Sequence, residues 1–270
     1  MKKPPIKPII KAGIVTDIHY GFDIKSKLGS KGPALMHAFE KDVALYMPDF
    51  IVDIGDRISG RNKTDDRRHM ESLQQHFNRM AAPKVHITGN HDIRFLTRAD
   101  NEAITGCPAT SWCQDRGNFH FVFWNPEVTS DGTGLHVGAA DLQWLKQNAS
   151  VPCKKTILFS HTPLYHMDKD EPDEYGKISL RFHYAHSHNI RKILEEPGNV
   201  VLCMNGHVHR NHHSQINGIH YIAQQALTHM HQKHYRVPAR TWSWLEIYDD
   251  QIVLKLQGKV RKNYLIPLAA

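Results

Sequence analysis

Five short apolar runs each end in residues that can hold a metal ion: GIVTDIH in Asp17 and His19, FIVDIGD in Asp56, VHITGNHD in Asn90, TILFSH in His161, and VVLCMNGHVH in His207 and His209. Together they offer donors enough for two ions. The donors are carboxylate oxygen, imidazole nitrogen and one amide oxygen, with no thiolate. That mixture suits manganese, iron or zinc better than calcium or copper(I), without choosing among the three. Taken singly, any of these residues could be an ordinary turn or cap residue beside a strand; as an ordered set they point to a metal centre.

Something must gather donors scattered over residues 17 to 209. β-Branched runs of this length read as buried strands, and ligands at strand ends meet along one edge of a sheet. Asp17 and His19 stand two apart, as do His207 and His209, so in extended structure each pair points the same way. Gly55, Gly89 and Gly206 sit next to ligands where the chain must turn sharply, which glycine tolerates. Between the runs, residues 33–47, 65–81, 139–149 and 187–196 carry a helical period. In the second of these, Met70, Leu73, Phe77 and Met80 form one stripe that predicts a face packed on a sheet. Further strands are expected at 119–124, 219–223, 242–248 and 252–257, the last two joined by a hairpin at 249–251. About nine strands alternating with helices predict an α/β fold, with two sheets packed together and helices outside. Without an internal repeat or a low-complexity linker, residues 1–270 are expected to form a single domain.

The order Asp-x-His, Gly-Asp, Gly-Asn-His-Asp, His, Gly-His-x-His, spread over about residues 13 to 209, resembles the calcineurin-like metallophosphoesterases. The resemblance implies a four-layer sandwich of two mixed β-sheets flanked by helices. It also implies that Asp17, His19 and His209 bind a first metal and Asn90, His161 and His207 a second, with Asp56 bridging them. Two divalent ions, less the charges of Asp17, Asp56 and a bridging hydroxide, leave a site of about +1 that attracts a phosphate, and the hydroxide is the nucleophile. His91 resembles the family's non-ligand histidine beside the leaving group, a role contributing ~10² to 10⁴ in rate. Asp92 is a candidate to hold that ring by a hydrogen bond, and Arg57 is the nearest basic candidate for orienting the phosphate. Two positions depart from the family pattern. Ser59 stands where many members carry a second acidic residue, and Asn205 precedes GHVH where a small residue is common. Asp53 has an odd offset from Asp56, which puts it on the opposite strand face as a structural residue.

The segments GNHD, SHTPL and GHVHRN look most like the branch acting on small phosphodiesters such as cyclic nucleotides and glycerophosphodiesters. Phosphomonoesterase or nucleotide pyrophosphatase activity is the alternative, followed by a nuclease, a protein phosphatase and, from another class, a non-catalytic scaffold that keeps the fold. Histidine is abundant, 21 in 270 residues. His183, His186 and His188 fall in one rich stretch and His229, His231 and His234 in another. These clusters are read as loops around the pocket, with His183 and His229 as substrate contacts, rather than as a third metal site. A net charge of +7 suits an anionic small-molecule substrate, while the spread of basic residues argues against nucleic acid. Four cysteines without CxxC spacing suggest buried thiols and a reducing compartment. The N-terminal apolar segment is too interrupted for a leader or a membrane helix, so a cytoplasmic protein with no membrane partner is expected, in which a homo-oligomer is allowed.

Overall fold

Ile10, Ala12 and Ile14 lie in one core cluster while Val15, on the same strand, lies in another. A strand buried on both faces needs a layer on each side. The computed structural model, which describes residues 7–165, 182–232 and 236–268, supplies them. Among the described residues twelve strands build two six-stranded sheets. The first holds β1 (Ile10–Val15), β2 (Phe50–Asp53), β3 (Lys84–His86), β10 (Trp242–Ile247), β11 (Gln251–Gln257) and β12 (Lys262–Pro267), in the order β12-β11-β10-β1-β2-β3. The second holds β4 (Trp112–Arg116), β5 (Phe119–Phe123), β6 (Lys155–Phe159), β7 (Val200–Asn205), β8 (His212–Ile216) and β9 (Ile219–Ala223), in the order β8-β9-β7-β6-β5-β4. β1, β2 and β3 run parallel, as do β5, β6, β7 and β9, and antiparallel strands complete both sheets.

Ile14, Val52 and Leu245 from the first sheet meet Phe121, Phe159 and Leu202 from the second in the central core, and Phe50 contacts Phe121 edge-on across it at 5.3 Å. α1 (Gly32–Tyr46) and α2 (Lys63–Arg79) cover the outer face of the first sheet through Leu35, Met36, Phe39, Val43, Leu73 and Phe77. α4 (Ala139–Asn148) and α5 (Ser187–Glu195) cover the second through Leu145, Ile190 and Leu194. This is the four-layer α/β architecture expected. Residues Met70, Leu73, Phe77 and Met80 are all buried, although Met70 packs on Ile58 and Leu96 rather than on the sheet.

The differences from expectation are physical. β4, β8 and β12 lie at sheet edges, where one side faces solvent and polar residues such as His212, His213 and Lys262 replace the apolar run, so they carry no strong strand signal. α3 (Arg98–Thr105) has a single buried residue, Asn101, and no apolar stripe; its sequence mark is the capping box of Thr97 and Asp100. Among the described residues no helix is long and apolar enough to cross a membrane.

Candidate metal centre

The proposed ligands follow the carboxyl ends of parallel strands: β1 leads to Asp17 and His19, β2 to Asp56, β3 to Asn90, β6 to His161, and β7 to His207 and His209. The pairs two apart do not face the site by strand alternation, because the strands have already ended. Asp17, His19, Asp56, His207 and His209 all adopt positive φ, between 45° and 68°. A non-glycine residue there costs on the order of 1 to 3 kcal/mol, sustained only when the surroundings over-determine it. Bonds between the loops do so: Asp17 N–H donates to Gly55 O at 2.9 Å, His19 N–H to Asp56 O at 3.0 Å and Gly206 N–H to His161 O at 3.1 Å. Of the three glycines, Gly55 needs its φ of +98°. Gly89 and Gly206 are required for space instead, since a Cβ on the first would overlap Asp56 and on the second Thr16 and Asp17.

Two donor groups converge. Asp17, His19, Asp56 and His209 present ligand atoms within 4.8 Å of one another, and so do Asp56, His161 and His207. Asp56 belongs to both. Its Oδ2 lies 3.7 Å from His19 Nε2 and its Oδ1 lies 3.5 Å from His161 Nε2, so one carboxylate turns an oxygen to each group. His209 Nε2 stands 3.2 Å from Asp17 Oδ1 and 2.9 Å from His19 Nε2, and His207 Nδ1 stands 3.2 Å from His161 Nε2. Asn90 lines a cavity together with His161 and His207.

The outer sides of the rings fix which nitrogen faces inward. His19 Nδ1 donates to Ile58 O at 3.2 Å and His161 Nδ1 to Ile54 O at 2.8 Å, leaving each Nε2 lone pair aimed at the shared space. Lone pairs and carboxylates directed at one point are what a cation needs, so the residues fit a pair of metal ions. Burial opposes charge on Asp56, but His161 and His91 outweigh it and hold its carboxyl well below the usual range. Burial likewise opposes an imidazolium at His161, and Asp56 and Asp17 outweigh it, lifting it to about 10. The same carboxylates would favour a cation held at His161 Nε2 in the proton's place. Thr16 Oγ1 donates to Asp17 Oδ2 at 2.7 Å and the His207 backbone N–H at 3.0 Å, orienting the first ligand.

His91 is at the centre, its Nε2 4.0 Å from Asp56 Oδ2. Its ring is not held by Asp92, as the sequence suggested, but by Ser59 O, 2.5 Å from Nδ1. The Asp92 carboxylate is occupied elsewhere, accepting from the backbone N–H groups of Gly89 at 2.9 Å, Asp56 at 3.0 Å and Arg57 at 2.8 Å. It pins the two loops that carry Asp56 and Asn90 to each other. Arg57 also differs from expectation. Its side chain is 1% exposed and points inward, with Nη2 donating to Asn101 Oδ1 at 2.7 Å and Nη1 to Asp53 Oδ2 at 3.3 Å, so it does not reach a phosphate at the centre. Asp53 is structural as expected, bonded to His86 Nδ1 at 2.9 Å.

The histidine clusters separate. His229 Nδ1 lies 3.2 Å from His209 Nδ1, against the ring of a proposed ligand. Replacing His229 with alanine is therefore expected to weaken metal binding about 10- to 100-fold, with a small change in KM, as read by metal titration beside steady-state kinetics. His183 is buried and it is its neighbour Tyr184 that lines the cavity. His186 packs on His136, His188 is exposed beside Arg191, and His231 is exposed, so among the described residues these histidines form no third metal group. His234 lies outside the described residues. Sequence reasoning missed Thr16 and Lys27. Lys27 Nζ stands 3.2 Å from His91 Nε2, yet its surroundings, FDIKSKLGSK, read as a polar loop.

The cavity beside Asn90, His161 and His207 has a volume of about 890 Å³. Ile93, Trp124, Leu135 and Tyr184 give it apolar walls, while Thr88, Arg94 and Asn125 add polar groups. Such a volume accepts a group of nucleoside size.

The sequence model described as calcineurin-like phosphoesterase matches residues 10–211. A serine/threonine-protein phosphatase CPPED1 from Danio rerio is 24% identical over 159 residues, covering 54% of this chain and 48% of that protein. A 3',5'-cyclic-nucleotide phosphodiesterase, alr5338, from Nostoc sp. is 23% identical over 163 residues, covering 60% and 58%. The chain thus spans about half the length of the curated relatives it matches. Among solved structures, a dimetal phosphatase from Danio rerio superposes with a TM-score of 0.82 at 14% identity, over 97% of this chain and 100% of that one. GAP50, the anchor in the inner membrane complex of Plasmodium, superposes with a TM-score of 0.63 at 14% identity, over 98% and 90%. At these identities the structural likeness speaks for the fold alone.

Proposed function

The chain belongs to the calcineurin-like phosphoesterase family, and on that premise we propose that it hydrolyses a small phosphodiester at a two-metal centre. The observation that carries this is the Asp56 carboxylate, whose two oxygens face two separate donor groups. Asp17, His19 and His209 would hold one ion, and Asn90, His161 and His207 the other, with Asp56 shared. Manganese, iron or zinc bound there would grip a phosphoryl group as a Lewis acid and bring the pKa of water toward neutrality. The chain's own part is to orient these donors through the carbonyls of Ile54 and Ile58 and to set His91 beside them. With Nδ1 donating to Ser59 O, His91 turns Nε2 toward the centre, where its protonated form would donate to the departing oxygen.

A diester carries a second organic group that a monoester lacks, and the adjoining cavity of about 890 Å³ offers it room. This favours the phosphodiesterase reading over the phosphomonoesterase one, for which similarity to a protein named as a phosphatase is the support. A non-catalytic scaffold would not need a complete donor set with His91 beside it. The test is hydrolysis of bis(p-nitrophenyl) phosphate and p-nitrophenyl phosphate by metal-stripped protein reloaded with manganese, iron or zinc, with bound metal counted. Diester cleavage about tenfold or more above monoester cleavage, with two ions bound, is expected. Monoester preference would reverse the assignment, and two bound ions with neither activity would favour the scaffold.

A further inference from the structure

We infer that Lys27 binds the substrate, its ammonium donating to a phosphoryl oxygen beside His91; this rests on the phosphoesterase reading above. Lys27 Nζ lies 3.2 Å from His91 Nε2, which in turn lies 4.0 Å from Asp56 Oδ2, so the cation stands next to the shared carboxylate of the centre. In the neutral ring, His91 Nδ1 donates to Ser59 O, which makes Nε2 the acceptor and Lys27 the donor. An ammonium has three N–H bonds. Among the described residues, His91 is the one side-chain or backbone acceptor that Lys27 Nζ meets, and no carboxylate lies within ion-pair distance. Two of its N–H bonds are left to point at a ligand.

The placement is rigid rather than incidental. Asp23–Ile24 and Lys27–Leu28 pair as a short antiparallel ribbon. Leu28 N–H donates to Thr228 O at 3.0 Å and Met230 N–H to Ser26 O at 2.8 Å, bracketing Lys27 against the loop that carries His229. A free surface lysine would keep its ammonium in water and gain little from a lone imidazole. Here burial works against the charge and lowers the Lys27 pKa, with Asp56 and Asp17 opposing that shift. Those two carboxylates would be neutralised by bound ions, leaving the ammonium to seek another anion. Arg94, which lines the cavity, adds positive charge near enough to oppose the Lys27 ammonium. A phosphate reaching Lys27 meets a donor already in place, with little ordering cost.

The test uses Lys27→Met, which keeps the aliphatic stem, and Lys27→Arg, which keeps the charge. With manganese-loaded protein, Lys27→Met is expected to retain two ions and its melting temperature. It is expected to bind inorganic phosphate about 10- to 100-fold more weakly by calorimetry, the range of one charge-assisted hydrogen bond, and to lose a similar factor in kcat/KM on bis(p-nitrophenyl) phosphate. Lys27→Arg should recover most of the phosphate affinity. Unchanged phosphate affinity in Lys27→Met, or loss of the ions with it, overturns the assignment while leaving the phosphoesterase reading intact. Wild-type protein that holds two ions but neither binds phosphate nor cleaves the ester overturns both.

Discussion

Alanine at Asp56 is expected to lower bound metal from two ions per chain to one or none and to reduce kcat by about 10³-fold or more. The carboxylate is the donor common to both groups, with Oδ2 facing His19 and Oδ1 facing His161. Its Oδ1 also accepts the His91 backbone N–H at 2.8 Å, so the same substitution releases the residue beside the leaving group. A metal pair supplies several kcal/mol of charge stabilisation in the transition state, and about 4 kcal/mol corresponds to the factor given. Metal counting on the purified variant, beside its kinetics, checks the prediction. Two ions retained at full affinity would mean that Asp56 does not bridge.

The second large effect is one of stability. Arg57→Ala is expected to destabilise the fold by about 3 to 5 kcal/mol, because it leaves Asp53 and Asp92 buried without their cation. Arg57 Nη1 lies 3.3 Å from Asp53 Oδ2 and Nη2 lies 3.4 Å from Asp92 Oδ2, with both carboxylates fully buried. For a chain of this size that amounts to a fall in Tm of roughly 10 °C. Lysine should restore little of it, since a single ammonium cannot span Asp53, Asn101 and Asp92 as the planar guanidinium does. Thermal unfolding of the metal-free variant is the measurement. A normal Tm with a raised KM would instead return Arg57 to the role of phosphate contact.

Arg57 illustrates where the sequence stops. A basic residue after a bridging aspartate can reach outward to a phosphate or inward to a carboxylate, and the choice depends on Asp53, Asp92 and Asn101, of which only Asp53 is near it in the chain. Asp92 presents the same ambiguity. Its place after Gly-Asn-His suggested a ring partner, but three backbone N–H groups brought around it by folding take its oxygens first. His229 stands twenty residues from His209 in the chain, and the contact between their rings is tertiary.

The donor types, their order and their attachment to strand ends were written in the chain, because parallel strands buried on both faces demand continuous apolar runs and metal coordination demands specific side chains after them. Eight interior strands, the buried edge strand β3 and four helices followed from the same periodicities, whereas the polar edge strands β4, β8 and β12 and the polar α3 did not, since solvent on one side removes the pattern. Tertiary structure decided the rest. One donor group joins Asp17, His19 and Asp56 from the first sheet with His209 from the second, and the other joins Asp56 to His161 and His207. Neither group is complete until the two sheets pack. The same packing turns the left-handed ligand loops toward one another, while contacts of Arg57 with Asp53, Asp92 and Asn101 send it inward and the ribbon at Lys27 meets His91, because each of these depends on segments apart in the chain.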